Sequence, residues 1–485
     1  MNREKTTLTP VLDPDFIPSI RWNHSFHERC AADPDSRELA IALSRPDGTV
    51  LVLHTRVLSA KPNNAGLNNR YVERLVKFLL WQAGGSTITI GGCDEIAEFV
   101  RKTYSPSGAR AFDVKIFERM FLSPLSVVSC KMDEIPASHE QQIALGRNLG
   151  GCRIGFDLGG SDRKAAAVID GKVVFSEEIA WAPYFQSNPQ YHYDGICDSL
   201  KRAAAHLPRV DAIGGSAAGI YINNEARIAS LFRGISDDDF DRHIRRIFFR
   251  IKEEWGDIPL EVANDGEVTA LAGAMSLNDH SVLGISMGTS LAVGYCDANG
   301  HITSKINELA FAPIDYRADA PSDEWSGDVG CGVQYFSQQG VARLASAAGI
   351  DLPAETPAPE KLVEVQKLMA AGDDRARKIY ETIGTCFGYA IAQYAEFYTI
   401  RHILFLGRVS SGEGGQVIIQ KAEEVLVAEF PELAKTIRIS MPDEQLKRHG
   451  QAIAAASLPA IPFSHPIDVV YKSFIHCYGV GKETM

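Results

Sequence analysis

Residues 153–179 read RIGFDLGGSDRKAAAVIDGKVVFSEEI, and the fold is decided by how this stretch is divided. Three strand-like runs are separated by a glycine turn at Gly159-Gly160 and a tighter one at Asp170-Gly171, because both positions of such turns tolerate positive φ. The pattern is a β-meander. Downstream come helical spacing over 196–206, an apolar strand ending in Gly214-Gly215-Ser216, and a charged helical stretch over 237–255. A strand over 260–263 then runs into Asn264-Asp265, and the next helix carries Val268, Leu271 and Ala272 on one face. Strands alternating with helices predict a layered α/β fold.

Toward the C-terminus, SVLGISMGTSLAVGYCDANGHI (281–302) repeats the hairpin pattern around Gly288-Thr289-Ser290. A long helix over 376–398, a strand over 403–406, a Gly/Ser-rich loop from Gly407, and helices over 416–429 and 450–456 follow. Residues 353–359 read as a proline-rich loop. Toward the N-terminus, residues 1–35 are proline-punctuated and predict an irregular arm. ELAIALSRPDGTVLVLHTRVL (38–58) predicts a hairpin about Asp47-Gly48, followed by a helix over 69–82, a strand over 86–90, a Gly91-Gly92 turn and a helix over 94–104. The expected division is an N-terminal α/β module over 1–150, then 151–280 and 281–485. The N-terminal order of hairpin, helix, strand, double glycine and helix also describes the final block. Two readings stand: a decayed half-domain copy, or an arrangement common in α/β proteins.

The chain has 485 residues, 45% hydrophobic and 23% charged, which excludes disordered and fibrous classes. With 49 Lys+Arg against 61 Asp+Glu its net charge is -12, so a general nucleic-acid-binding role, which needs a basic surface, is not expected. The nine cysteines form no CxxC pair, so spacing gives neither a disulfide framework nor a zinc site, and a reducing cytoplasm is the expected home. MNREKTTLTPVLDPDF has no apolar signal core, and no run approaches the roughly 20 apolar residues of a membrane span.

Three glycine-containing sites and one carboxylate carry the chemistry. Asp157-Leu158-Gly159-Gly160-Ser161-Asp162-Arg163-Lys164 lets backbone amides approach phosphate oxygens, with Asp157 able to hold Mg²⁺, or it is a plain hairpin turn. Gly288, Thr289 and Ser290 offer amide and hydroxyl donors. Gly407 opens a loop that can receive a nucleoside, or that merely joins strand to helix. Asp265 stands where a carboxylate can take a proton from an attacking hydroxyl, with Asn264 beside it to orient that substrate. The same two residues also read as a helix N-cap.

Taken in order, IGFDLGGS (154–161), VAND (262–265), GISMGTS (284–290) and FLGRVS (405–410) resemble the ROK family of sugar kinases and repressors, in the hexokinase, Hsp70 and actin superfamily. The resemblance spans 153–459, and GQAIAAA (450–456) is similar to the family's closing helix. It implies two RNase H-like, actin-like ATPase domains around a cleft, preceded here by the N-terminal module. ATP would be held by Gly159, Gly160, Ser161, Gly288, Thr289 and Ser290, with Lys164 in the first turn and Gly407 at the nucleoside. Asp157 would bind magnesium and Asp265 would be the general base. Asn264 and Glu308 would touch the sugar, Gly215 and Ser216 would lie near it, and the helix over 237–255 would flank its pocket.

The sugar side departs from the family pattern. Where the family has Glu-x-Gly-His, this chain has Glu308-Leu309-Ala310-Phe311, which keeps the glutamate and loses the histidine. The zinc element maps to Gly330-Cys331-Gly332-Val333-Gln334-Tyr335, retaining only Cys331 of the ligands, so structural zinc is not expected. The expected function is ATP-dependent phosphorylation of a hydroxyl on a sugar or sugar derivative. The alternatives are a non-catalytic sugar or nucleotide sensor and a ROK-type transcriptional regulator. Against the regulator stands a hairpin where a basic helical triplet is needed. The family suggests a homodimer.

Overall fold

The computed structural model describes residues 8–139, 145–442 and 450–461. Its first sheet contains β1 (Arg37–Ser44), β2 (Val50–Val57), β3 (Thr87–Gly91) and β4 (Ser126–Cys130), in the order β2-β1-β3-β4. The Asp47-Gly48 turn forms as expected: Gly48 has φ +87°, and the Asp47 carboxylate accepts the Thr49 amide at 2.9 Å. Residues 1–35 need correcting, because Ser19–Ala32 is a helix. Trp22, Phe26 and Cys30 recur every four residues and bury one face, a period masked by the prolines before it. The helix Ala111–Phe121 and β4 were not foreseen.

The second sheet comprises β5 (Cys152–Leu158), β6 (Asp162–Ile169), β7 (Lys172–Ala180), β8 (Ala212–Ala217) and, after the small hairpin β9 (Ile220–Ile222) and β10 (Glu225–Ile228), β11 (Leu260–Asn264). Its order is β11-β8-β5-β6-β7: the meander is antiparallel, and β8 and β11 add in parallel. The third sheet, β12 (Val282–Met287), β13 (Leu291–Cys296), β14 (His402–Leu406) and β15 (Arg438–Ser440), runs β13-β12-β14-β15. It repeats the order and directions of β6-β5-β8-β11. The two sheets are therefore two RNase H-like halves. The first sheet is not a third copy, because β1 meets β3 antiparallel where β12 meets β14 parallel. The stretch over 237–255 is not one helix: it breaks into Asp237–Asp239, a π-turn over Phe240–Ile244, and Ile247–Glu254.

The helix Gln451–Ala456 lies directly on the second sheet. A Cβ on Gly214 would stand 1.7 Å from the Ala455 carbonyl oxygen, and one on Gly155 2.0 Å from that of Ala452. Only glycine permits this approach. Gly214→Ala is expected to cost at least the roughly 1–3 kcal/mol typical of overpacking, read as a lower urea midpoint. An unchanged midpoint would mean that the helix can move away freely.

The N-terminal region shares its core with the third sheet. Trp22, Phe26, Leu75, Phe78 and Phe117 are continuous with Ile285, Tyr335, Phe387 and Tyr394. Phe78 meets Phe397 at 4.3 Å between ring centroids, and Trp22 meets Tyr316 at 5.4 Å. The five-stranded sheet has a separate core built on Phe156, Leu200, Phe232 and Phe248.

Candidate active site

β5, β8 and β11 are parallel, so their carboxyl ends share one edge of the sheet, and Asp157, Ser216 and Asp265 all lie there. Buried Asp157 accepts a hydrogen bond from the Ser216 hydroxyl through Oδ1 at 2.7 Å, and the described residues give its other oxygen no donor. Burial pushes its pKa up to about 6; the Ser216 bond works against this, and the charge of Asp265 adds to it. Burial also raises Asp265, opposed by the Gly266 amide, which donates to Asp265 Oδ1 at 3.0 Å. Glu308 is pushed up to about 7, by burial first and by Asp265 second. The charge of Asp265 thus reaches one carboxylate in each half, Asp157 and Glu308. A divalent cation bound by such groups would favour their ionised forms.

The first glycine turn is held from within and from one side. Gly159 donates its amide to the Asp162 carbonyl at 2.9 Å, Trp181 Nε1 donates to the Gly159 carbonyl at 2.8 Å, and the Ser161 hydroxyl donates to Asp162 at 2.9 Å. The space a Gly160 side chain would need is taken by the Tyr184 hydroxyl, 2.2 Å from the ideal Cβ. Lys164 pairs with Asp162 at 3.6 Å and Glu178 at 3.9 Å. In the second turn the Gly288 amide donates to the Ser290 carbonyl, and the Gln338 amide to the Gly288 carbonyl, each at 2.9 Å. Thr289 and Ser290 are exposed. Gly407 has φ +105° and sits against the end of β12, its ideal Cβ only 2.4 Å from the Met287 carbonyl oxygen, which brings the third loop beside the second turn. A cavity of about 450 Å³ opens there, lined among others by Thr269, Leu406, Gly407, Gly412 and Gln451. Gln451 links this cavity to the carboxylates, donating to Ser216 at 3.3 Å.

Asn264 is a helix cap: Oδ1 accepts the Gly266 amide at 2.8 Å and Nδ2 donates to the Gly219 carbonyl at 2.7 Å. Among the described residues its second amide hydrogen has no acceptor. Two expectations need correction. Gly215 lies mid-strand with the Phe156 ring filling its side-chain space, so it offers no surface to a substrate. Ser216 is fully buried and serves Asp157. Cys331 is buried with its thiol directed to the Phe311 carbonyl and Asp328, each at 3.5 Å. Among the described residues no group of three or more His, Cys, Asp or Glu is placed to hold a metal ion.

Sequence reading missed Tyr184 and Glu267, for which no motif gives a signal, and took Gln451 only as part of the closing helix. Glu267 is buried and receives a hydrogen bond from Asn307, and among the described residues its Oε2 has no hydrogen-bond partner. Burial pushes it up to about 8, against the Asn307 bond. An acid whose pKa is raised on folding binds more protons folded than unfolded, so its contribution to stability is fully present below about 4.5 and is lost as pH rises toward 8. Glu267→Gln keeps the shape and removes the ionisation. It is expected to reduce the loss of stability between pH 6 and pH 9, read from denaturation midpoints; an unaltered slope would refute the assignment.

No family model and no curated protein sequence matches the chain. Among solved structures, the ROK hexokinase from Thermus thermophilus superposes with a TM-score of 0.50 at 17% identity, over 64% of this chain and 98% of that one. A ROK family glucokinase from Streptomyces griseus, in complex with glucose and AMPPNP, gives 0.48 at 20% identity, over 63% and 98%. A ROK family transcriptional regulator, a homolog of the E. coli MLC protein, gives 0.49 at 19%, over 64% and 79%. The chain carries the two-lobed α/β fold of the ROK hexokinase. No helix among the described residues is long and apolar enough to cross a membrane.

Proposed function

We propose that this chain is an ATP-dependent kinase acting on a hydroxyl of a sugar or sugar derivative. The observation that carries the reading is the placement of Asp157 and Asp265 at one carboxyl edge of the second sheet, with Ser216 joining Asp157 to Gln451 and the Gly407 cavity. Asp265 takes the proton of the acceptor hydroxyl as its oxygen attacks the terminal phosphorus of ATP; the new O–P bond forms, the bond to the β-phosphate oxygen breaks, and ADP leaves. A raised pKa makes Asp265 a stronger base once ionised. The turns at Gly159–Ser161 and Gly288–Ser290, with Lys164, would hold the phosphates, and Gly407 the nucleoside. Asp157 is the residue that would hold Mg²⁺, whose charge would shield the phosphates. Glu308 accepts hydrogen bonds from acceptor hydroxyls. Release of ADP on adding one member of a sugar panel tests the reading.

A second reading has its own observation. Phe311 stands where the family pattern has histidine, and its ring packs on Trp81 at 4.5 Å, contributing no hydrogen-bonding group. A non-catalytic sensor would bind a sugar or nucleotide and release no ADP across the same panel. A DNA-binding regulator is less well supported, because residues 19–130 build a mixed sheet and its helices.

A further inference from the structure

Trp325 leaves 56% of its surface exposed. It is not on a loose loop. Ser322 bridges Val329, the Asp323 amide donates to the Asp328 carbonyl at 2.8 Å, and the Gly327 amide to the Asp323 carbonyl at 2.8 Å. The Asp323 carboxylate closes the tip by accepting the Ser326 amide at 2.7 Å. Asp328 anchors the base of the loop to three cations of the N-terminal region, with Lys77 at 3.1 Å, Arg74 at 3.4 Å, and Arg110. The indole packs edge-on against Phe112 at 4.8 Å and Phe311 at 5.2 Å.

Phe311 ends the short turn Leu309–Phe311 that Glu308 begins. The N-terminal region fixes that turn too. The helix Pro62–Ala83 ends with carbonyls that need donors, and Trp81 and Gln82 receive them from the Glu308 and Asn307 amides at 2.9 and 3.0 Å. Its neighbour, the helix Ala111–Phe121, reaches the other half of the molecule, where Arg119 pairs with Asp237 at 2.9 Å and lies over the Phe240 ring. A rigidly held aromatic face thus stands beside the turn bearing Glu308, and Glu308 feels the charge of Asp265.

We propose that Trp325 is the stacking platform of the acceptor site, and that residues 62–121 complete this site by holding Trp325 and Glu308 in place. The occupant is a carbohydrate ring: its C–H face covers the indole while its hydroxyls meet the carboxylates, an apolar wall with a few fixed polar groups. This rests on the carbohydrate-acceptor reading above.

The test uses the full chain and a panel of neutral hexoses, pentoses and amino sugars. Trp325→Ala is expected to raise the acceptor KM, or the Kd measured by calorimetry without ATP, about tenfold, with the KM for ATP within about twofold of wild type. Trp325→Phe should restore most of the affinity, and it serves as the test if the alanine variant does not fold. Turnover with an unchanged acceptor KM in both variants overturns the platform and leaves the kinase reading standing. Sugar binding weakened by Trp325→Ala, with no ADP release from wild type, keeps the platform and overturns the kinase. A dimer that Trp325→Ala converts to monomer, with acceptor affinity unchanged, assigns the ring to a second copy of the chain and overturns the platform. No binding by any sugar overturns both.

Discussion

Asp265→Asn is expected to lower kcat by about 10²–10⁴, the usual contribution of a positioned general base, while the protein folds normally. The change is nearly isosteric. The Asn264 side chain still caps the helix through the Gly266 amide, and the new amide oxygen can accept from that same amide as Asp265 Oδ1 does. Burial disfavours the Asp265 charge, so removing it should leave the melting temperature equal or higher. The charge also raises Asp157 and Glu308, and both should titrate lower in the variant. ADP release and a thermal melt on the same preparation separate the chemical effect from a folding defect. Wild-type turnover in a folded variant would remove Asp265 from the mechanism.

The halves of the molecule differ in how much of them could be read from residues. The meander and its echo at 281–302 were legible because turn chemistry and strand alternation are local signals, and the parallel strands that bring Asp157 and Asp265 together follow from the alternation of elements. What failed depended on partners distant in sequence. The helix Ser19–Ala32 owes its buried face to distant partners: Trp22 meets Tyr316, Phe26 stacks on Tyr71, and Asn23 donates to Gln393 at 3.2 Å. Gly215 looked like a ligand turn and is a packing glycine, a distinction set by the Phe156 ring. Glu267 reads as a first-turn helix acid, favoured by the helix dipole alone, and only the fold makes it buried and short of a partner. The packing of the N-terminal region was illegible for the same reason: it depends on distant partners such as Gln393, Phe397 and Asn307.

Lys77→Met is expected to cost about 3–5 kcal/mol, the price of stranding a buried carboxylate. Lys77 is fully buried, with its ammonium 2.8 Å from Asp113 and 3.1 Å from Asp328. Burial lowers its pKa, and the two carboxylates more than reverse the effect, so it is held charged. Asp328 keeps Arg74 and Arg110 in the variant, whereas among the described residues buried Asp113 pairs with no other cation. The loss should therefore come mainly from Asp113. Lys77→Met combined with Asp113→Leu should recover much of it, because replacing both partners by apolar groups removes the uncompensated charge. Urea denaturation of wild type, single and double variants closes the cycle. Because the core runs unbroken from Trp22 and Phe78 to Phe387, the single variant should lower the midpoint at which the N-terminal region and the third sheet unfold together. A loss below about 1 kcal/mol would mean that water reaches the pair. A separate early transition would mean that the N-terminal region unfolds alone, and the wall it gives the acceptor site would then be detachable.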